Sequence, residues 1–122
     1  RSAAGAAGTS NAALYFGGLA PSITAATEEY DGSTWSNGGS LITGRRGVGG
    51  TGTQNAGLAV GGMTPTKVTC TEEYSGTSWA TGGNLISGRD SVMVAGTQNE
   101  ALASGGRTVA APAGGGSTCT EE

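Results

Sequence analysis

Short runs of apolar and small residues, each closed by glycine, alternate with polar segments along the whole chain. No 3.6-residue apolar stripe persists through any window, and glycine interrupts every stretch long enough for a helix. The pattern predicts four short strands per unit. In the second unit, strand a covers 45–51 and strand b covers 56–60, stopping at Gly61-Gly62. Strand c covers 68–74, and strand d runs from near Trp79 to near Ile86. In the first unit strand b is 12–16, ending at Gly17-Gly18. Between c and d, Tyr30-Asp31-Gly32-Ser33 carries an Asp-Gly pair, which favours a two-residue hairpin turn with positive φ. Ser75-Gly76 holds the same place in the second unit, and Gly-Thr-Gln-Asn forms the turn between a and b.

The pattern recurs. Gly8-Thr9-Ser10-Asn11 returns as Gly52-Thr53-Gln54-Asn55 and as Gly96-Thr97-Gln98-Asn99, in steps of 44 residues. Arg1, Arg45 and Arg89 keep that step, as do Gly17-Gly18, Gly61-Gly62 and Gly105-Gly106. Thr27-Glu28-Glu29-Tyr30 returns as Thr71-Glu72-Glu73-Tyr74, and Trp35 as Trp79. Residues 1–44 and 45–88 share 21 identities in 44 positions. The third copy, 89–122, is truncated, and its Thr-Glu-Glu arrives 49 residues on. The extra residues fall in 110–116, which places a loop between the double glycine and strand c.

Four antiparallel strands in a unit of this length are the signature of a propeller blade. Leu14-Tyr15-Phe16-Gly17-Gly18 with Tyr30 and Trp35, and Leu58-Ala59-Val60-Gly61-Gly62 with Tyr74 and Trp79, resemble the kelch repeat. The five-residue interval from Tyr to Trp is slightly short for that family, in keeping with a tight c–d turn. The Gly-Thr-Gln-Asn, Gly-Gly and Thr-Glu-Glu-Tyr-x-Gly-x-x-Trp segments are also similar to kelch-like repeats of phage, metagenomic and bacterial surface proteins. The expected fold is therefore all-β, about two and a half kelch-like blades, with a linear stack of the same units as the runner-up. A closed ring needs at least four blades, so further repeats of the same protein or homo-oligomer partners are expected. Arg1 at one end and Glu121-Glu122 at the other suggest a piece of something longer.

Strand alternation puts Glu28 on the face of Tyr30 and Glu29 on the opposite face. Tyr30 and Trp35 are expected to fill the gap between blades, and the double glycine to allow a turn that a Cβ would obstruct. Glu28, Glu72 and Glu121 then face a seam where a carboxylate needs a partner, and Arg1, Arg45 and Arg89 are the expected cations. The competing reading is a ring of arginines at a channel mouth that binds an anion. Cys70 and Cys119 are equivalent positions of neighbouring copies, too far apart for the roughly 7 Å Cα limit of a disulfide, and two thiols are expected.

Composition narrows the chemistry. Glycine supplies 25 of 122 residues, only 12% are charged, and the net charge is −3. Arg45-Arg46 is the one adjacent basic pair, so a phosphate-neutralising surface and nucleic-acid binding are not expected. No apolar run approaches the roughly 18 residues of a membrane span. Histidine is absent, which removes His-based triads and most zinc sites. Gly47-Val48-Gly49-Gly50-Thr51-Gly52 fits G-x-G-x-x-G, but a strand and not a helix follows it. Adjacent glutamates in a strand point to opposite faces and do not make an acid/base pair. No catalytic residue, cofactor or metal site is expected. The expected role is a structural or binding module of a virion tail, fibre or cell surface, with virion proteins or surface glycans as partners. The alternative is an ancillary propeller of a larger secreted carbohydrate-active enzyme.

Overall fold

The computed structural model describes residues 1–108 and 120–121. The described residues contain strands and no helix. The first sheet is β1 (Gly5–Thr9), β2 (Ala12–Phe16), β3 (Thr27–Tyr30) and β4 (Trp35–Asn37), hydrogen-bonded in that order. The second repeats it with β5 (Gly49–Thr53), β6 (Ala56–Val60), β7 (Thr71–Tyr74) and β8 (Trp79–Thr81). Every pairing is antiparallel. The third unit brings β9 (Arg89–Asp90) against β12 (Arg107–Thr108), and β10 (Met93–Gly96), β11 (Ala101–Ser104) and β13 (Thr120–Glu121) into a three-stranded sheet. The chain is thus all-β, in propeller-like blades.

β6 and β2 match their expected spans, because each is an apolar run fenced by Asn on one side and Gly-Gly on the other. Strand a is displaced. It begins at Gly49, four residues after Arg45, because the segment from Arg45 to Val48 bonds elsewhere. Arg46 bridges Met63, and the Gly47 N–H donates to Ala3 C=O at 2.7 Å. Strand c starts at Thr71 and strand d stops at Thr81, since the Gly82 N–H turns back to Thr71 C=O. The c–d connection is longer than a two-residue turn. Tyr30 pairs with Trp35 across residues 31–34, and Asp31 Oδ1 accepts the N–H groups of Ser33 and Thr34 at 2.8 Å each. That side-chain turn takes over the role of a tight backbone turn, and those two bonds hold the Asp31 carboxyl below its usual range. Gly32 does carry the positive φ, 97°.

The blades stack face to face, with β1, β5 and β10 packed side by side where the sheets converge. Alternation sends Leu14 and Phe16 forward toward the second blade, where they meet Ala59, Tyr74 and Trp79 in one buried cluster. Leu58 and Val60 meet Val92 and Ala103 of the third blade in a second cluster. The double glycine lets successive copies touch backbone to backbone. Gly18 N–H donates to Arg45 C=O and Gly62 N–H to Arg89 C=O, each at 2.8 Å. Gly17 has φ 66°, and a Cβ there would lie 2.6 Å from Arg45 O.

Candidate seam and open-face site

The seam between the first two blades is built from the residues that recur. Trp79 and Tyr74 of the second blade enter it and are almost fully buried, Trp79 at 6% exposure. The Trp79 ring meets Phe16 edge-on at 4.9 Å between centroids, and its indole N–H donates to Thr27 Oγ1 at 3.0 Å. The Tyr74 hydroxyl donates to Glu29 Oε1 and accepts the Gly39 N–H. Burial, and then the bond to Glu29, push the Tyr74 phenol above its usual value.

Tyr74 and Trp79 thus fill the gap between blades as their repeat position suggests, and Tyr30 and Trp35 hold the same positions in the first blade. The aromatic pair of the second blade packs backward on the first. Trp35 is 54% exposed and leans on Tyr30 at 5.0 Å and Tyr15 at 6.3 Å between centroids. Arg1 lies over the Tyr15 ring at 4.6 Å. The same four-residue turn and hairpin therefore give a packed pair in one blade and an exposed aromatic face in the other.

The arginines and glutamates come together in all three copies. Arg45 Nη2 meets Glu72 Oε2 at 2.7 Å and Arg89 Nη2 meets Glu121 Oε1 at 2.7 Å, while Arg1 and Glu28 stand at 3.6 Å. Arg45 also donates to Cys70 C=O at 2.7 Å, and Arg89 to Gly105 C=O at 2.9 Å. Glu72 accepts the Ile42 N–H of the preceding unit, and Glu121 accepts that of Ile86. Each carboxylate thus ties its own arginine to the exit of the blade before it. Arg45 is fully buried and Arg89 nearly so, each with its guanidinium paired to its glutamate. Burial draws the Arg45 guanidinium below its ordinary value, and Glu72 opposes that shift. Cys70 is a free thiol, and Cys119 lies outside the described residues.

Two features escaped the sequence reading. Gln54 donates to Ala13 C=O at 3.1 Å and Tyr30 C=O at 2.8 Å, and Gln98 donates to Gly57 C=O at 3.0 Å and Tyr74 C=O at 2.8 Å. The side-chain amide of each a–b turn therefore clamps the backbone of the preceding blade. The signal was the repeated Gln itself, which the turn assignment absorbed. The second feature is the buried Asp90, bound by Arg107 at 2.6 Å and Lys67 at 3.7 Å. Its equivalents Ser2 and Arg46 are unlike it, so no repeat pattern announced it.

A cavity of about 270 Å³ lies between the second and third blades, walled by Leu58, Val60, Thr71, Glu73, Gly83 and Ala103. These stand at the repeat positions of the residues that enclose Tyr74 and Trp79 in the first seam. Its walls are seam walls, with no nucleophile and base in contact. Among the described residues, no group of His, Cys, Asp and Glu is large enough to hold a metal ion.

No family model matches the sequence, and no curated protein matches it. Solved structures do. One, described as the structure of YjhT, superposes with a TM-score of 0.79 over 97% of this chain at 16% identity. The match spans 41% of that neighbour, so this chain corresponds to well under half of it. At such identity the likeness concerns fold alone.

Proposed function

We propose that the chain is a non-catalytic structural or binding module built of kelch-type blades, working in a virion tail or fibre or in a cell-surface assembly. The observation that carries this reading is the engagement of the recurring side chains. Arg45, Glu72, Gln54, Tyr74 and Trp79 each bond or pack at a blade seam. Repetition here maintains architecture, and the third unit repeats the arginine pair and the glutamine clamp. The Gly-rich, sparsely charged sequence suits a long-lived assembly. The aromatic face formed by Tyr15, Tyr30 and Trp35 supplies a contact area of the amphipathic kind that binding surfaces favour.

The test screens the folded chain against immobilised glycans and against the proteins of its native particle or envelope, beside turnover assays on the same glycans. Retention without turnover is expected. Turnover of a glycan by the purified chain would overturn the reading.

A further inference from the structure

We propose that the loop end of the second and third blades binds an oxyanion carried by an acidic glycan, held by Arg46, Lys67 and Arg107 around the buried Asp90. The inference rests on the binding-module reading and adds the class of ligand and the place where it docks.

Charge is divided between the two ends of the blades. Neighbouring strands are antiparallel, so the b–c and d–a connections lie at one end and the a–b and c–d turns at the other. All six Lys and Arg residues fall at the first end. The turns at the other end carry Asp31 and Glu100 and no cation. Three of the six serve the blades themselves, since Arg1, Arg45 and Arg89 pair with glutamates of strand c. Arg46, Lys67 and Arg107 stand outside that ladder.

These three gather about one carboxylate. Arg107 Nη2 donates to Asp90 Oδ2 at 2.6 Å, and Lys67 Nζ stands 3.7 Å from Oδ1 across the second seam. Arg46 bridges Met63, and Met63 bridges Lys67, so Arg46 and Lys67 flank one strip of backbone. Gly47, the next residue, lies against Asp90, and a Cβ on it would be 3.2 Å from Asp90 Cβ. Asp90 can neutralise only one of three positive charges. Among the described residues Arg46 has no carboxylate partner, and Asp90 Oδ1 accepts no hydrogen bond. The cluster therefore holds an excess of positive charge, which an oxyanion balances through charge-assisted hydrogen bonds.

The backbone does not need these charges. The first unit makes the same bridges, Ser2 to Leu19 and Leu19 to Ile23, without a charged side chain. Arg46, Met63 and Lys67 are the equivalents of those three residues, and Arg107 is a further equivalent of Leu19. The arginine–glutamate pairs, which tie blade to blade, recur in every copy. The cations around Asp90 depart from the repeat while the bridge geometry stays, so their charge is free to serve a ligand.

The chemistry points to a glycan. One compact cluster at a single seam suits one or two oxyanions and not the long phosphate track of a nucleic acid. Ser91 is exposed beside it, at φ 56°, with its hydroxyl donating to Asp90 Oδ2 at 3.0 Å. The oxygen of that hydroxyl still accepts. A sugar bearing a carboxylate or sulfate next to free hydroxyls presents the matching set, acceptors for the three cations and a donor for Ser91.

Retention of the full chain on polygalacturonate, dextran sulfate and neutral dextran tests this. Both acidic polymers should hold the chain and neutral dextran should not. Inorganic sulfate should displace it better than chloride at equal ionic strength, because screening alone does not distinguish the two. Arg46→Ser with Lys67→Ile gives the second unit the loop residues of the first, so the urea midpoint should stay unchanged. Affinity for the acidic polymers should fall about tenfold or more, the worth of one or two hydrogen bonds to charged groups. Arg46→Ser alone breaks no ion pair and should lower affinity in the same direction, which keeps the test decisive if the double variant folds poorly. No retention on either acidic polymer, equal retention on neutral dextran, chloride as effective as sulfate, or affinity indifferent to both variants overturns the proposal. Retention on other glycans or proteins without turnover would still satisfy the module reading, which glycan turnover overturns separately.

Discussion

The Trp79 indole N–H donates to the hydroxyl of Thr27 across the first seam, at 3.0 Å, while the ring packs edge-on against Phe16. Its repeat equivalent, Trp35, is 54% exposed. Equal sequence positions thus predict unequal energetics. Trp79→Ala should destabilise the chain by about 3–5 kcal/mol, since it empties a buried site and strands the Thr27 hydroxyl. Trp35→Ala should cost no more than about 1 kcal/mol, the worth of its contacts with Tyr30 and Tyr15. Urea denaturation of both variants checks this, and equal losses would contradict the assignment of the two faces.

The repeat made most of this architecture legible. Its step, the span of β6, the place of the a–b turn and the partnership of arginine with glutamate could all be read from residues recurring in register, although β5 runs on to Thr53, two residues into the segment read as turn. Three things could not. The start of strand a depends on whether Arg45 to Val48 bonds to its own sheet or to neighbouring loops, a tertiary choice invisible in a Gly-rich run. The fate of an aromatic pair depends on the direction in which blades stack, and a repeat gives only the positions. The reach of Gln54 to Ala13 and Tyr30 crosses between copies, whereas turn chemistry looks only at neighbours in sequence.

The glutamine clamp gives a second prediction. Gln54→Ala removes two hydrogen bonds to carbonyls of the first blade, so a loss of about 1–2 kcal/mol is expected, with a similar value for Gln98→Ala at the second seam. Hydrogen exchange should localise the first effect to amides of the first blade and the second to those of the second. An effect confined to the a–b turn itself would mean that the amide serves only its own hairpin.

The buried ion pair should show the asymmetry of desolvated charges. Arg45→Met leaves the Glu72 carboxylate buried without its cation, which should cost about 3–5 kcal/mol. Adding Glu72→Met removes the orphaned charge and should recover part of that loss. Recovery stays incomplete because the Ile42 N–H then loses its acceptor, and the Cys70 carbonyl keeps only the Gly61 N–H. Chemical denaturation of the single and double variants measures the coupling, and a double variant no more stable than Arg45→Met would show that the unpaired charge is not what makes the single change costly.

Tyr74 makes stability depend on alkaline pH. Burial, and the bond to Glu29, hold its phenol above the ordinary tyrosine value of about 10. The folded chain therefore keeps a proton that the unfolded chain releases. Its contribution is fully present below the unfolded value and is lost as pH rises from there through the higher folded value. Wild-type stability should fall over that window. Tyr74→Phe should be less stable at neutral pH by about 1–3 kcal/mol, because Glu29 and the Gly39 N–H lose the hydroxyl. Its decline above pH 10 should be shallower than that of the wild type. Denaturation midpoints measured from neutral pH upward give both slopes, and parallel slopes would mean that Tyr74 ionises as freely in the folded chain as in the unfolded one.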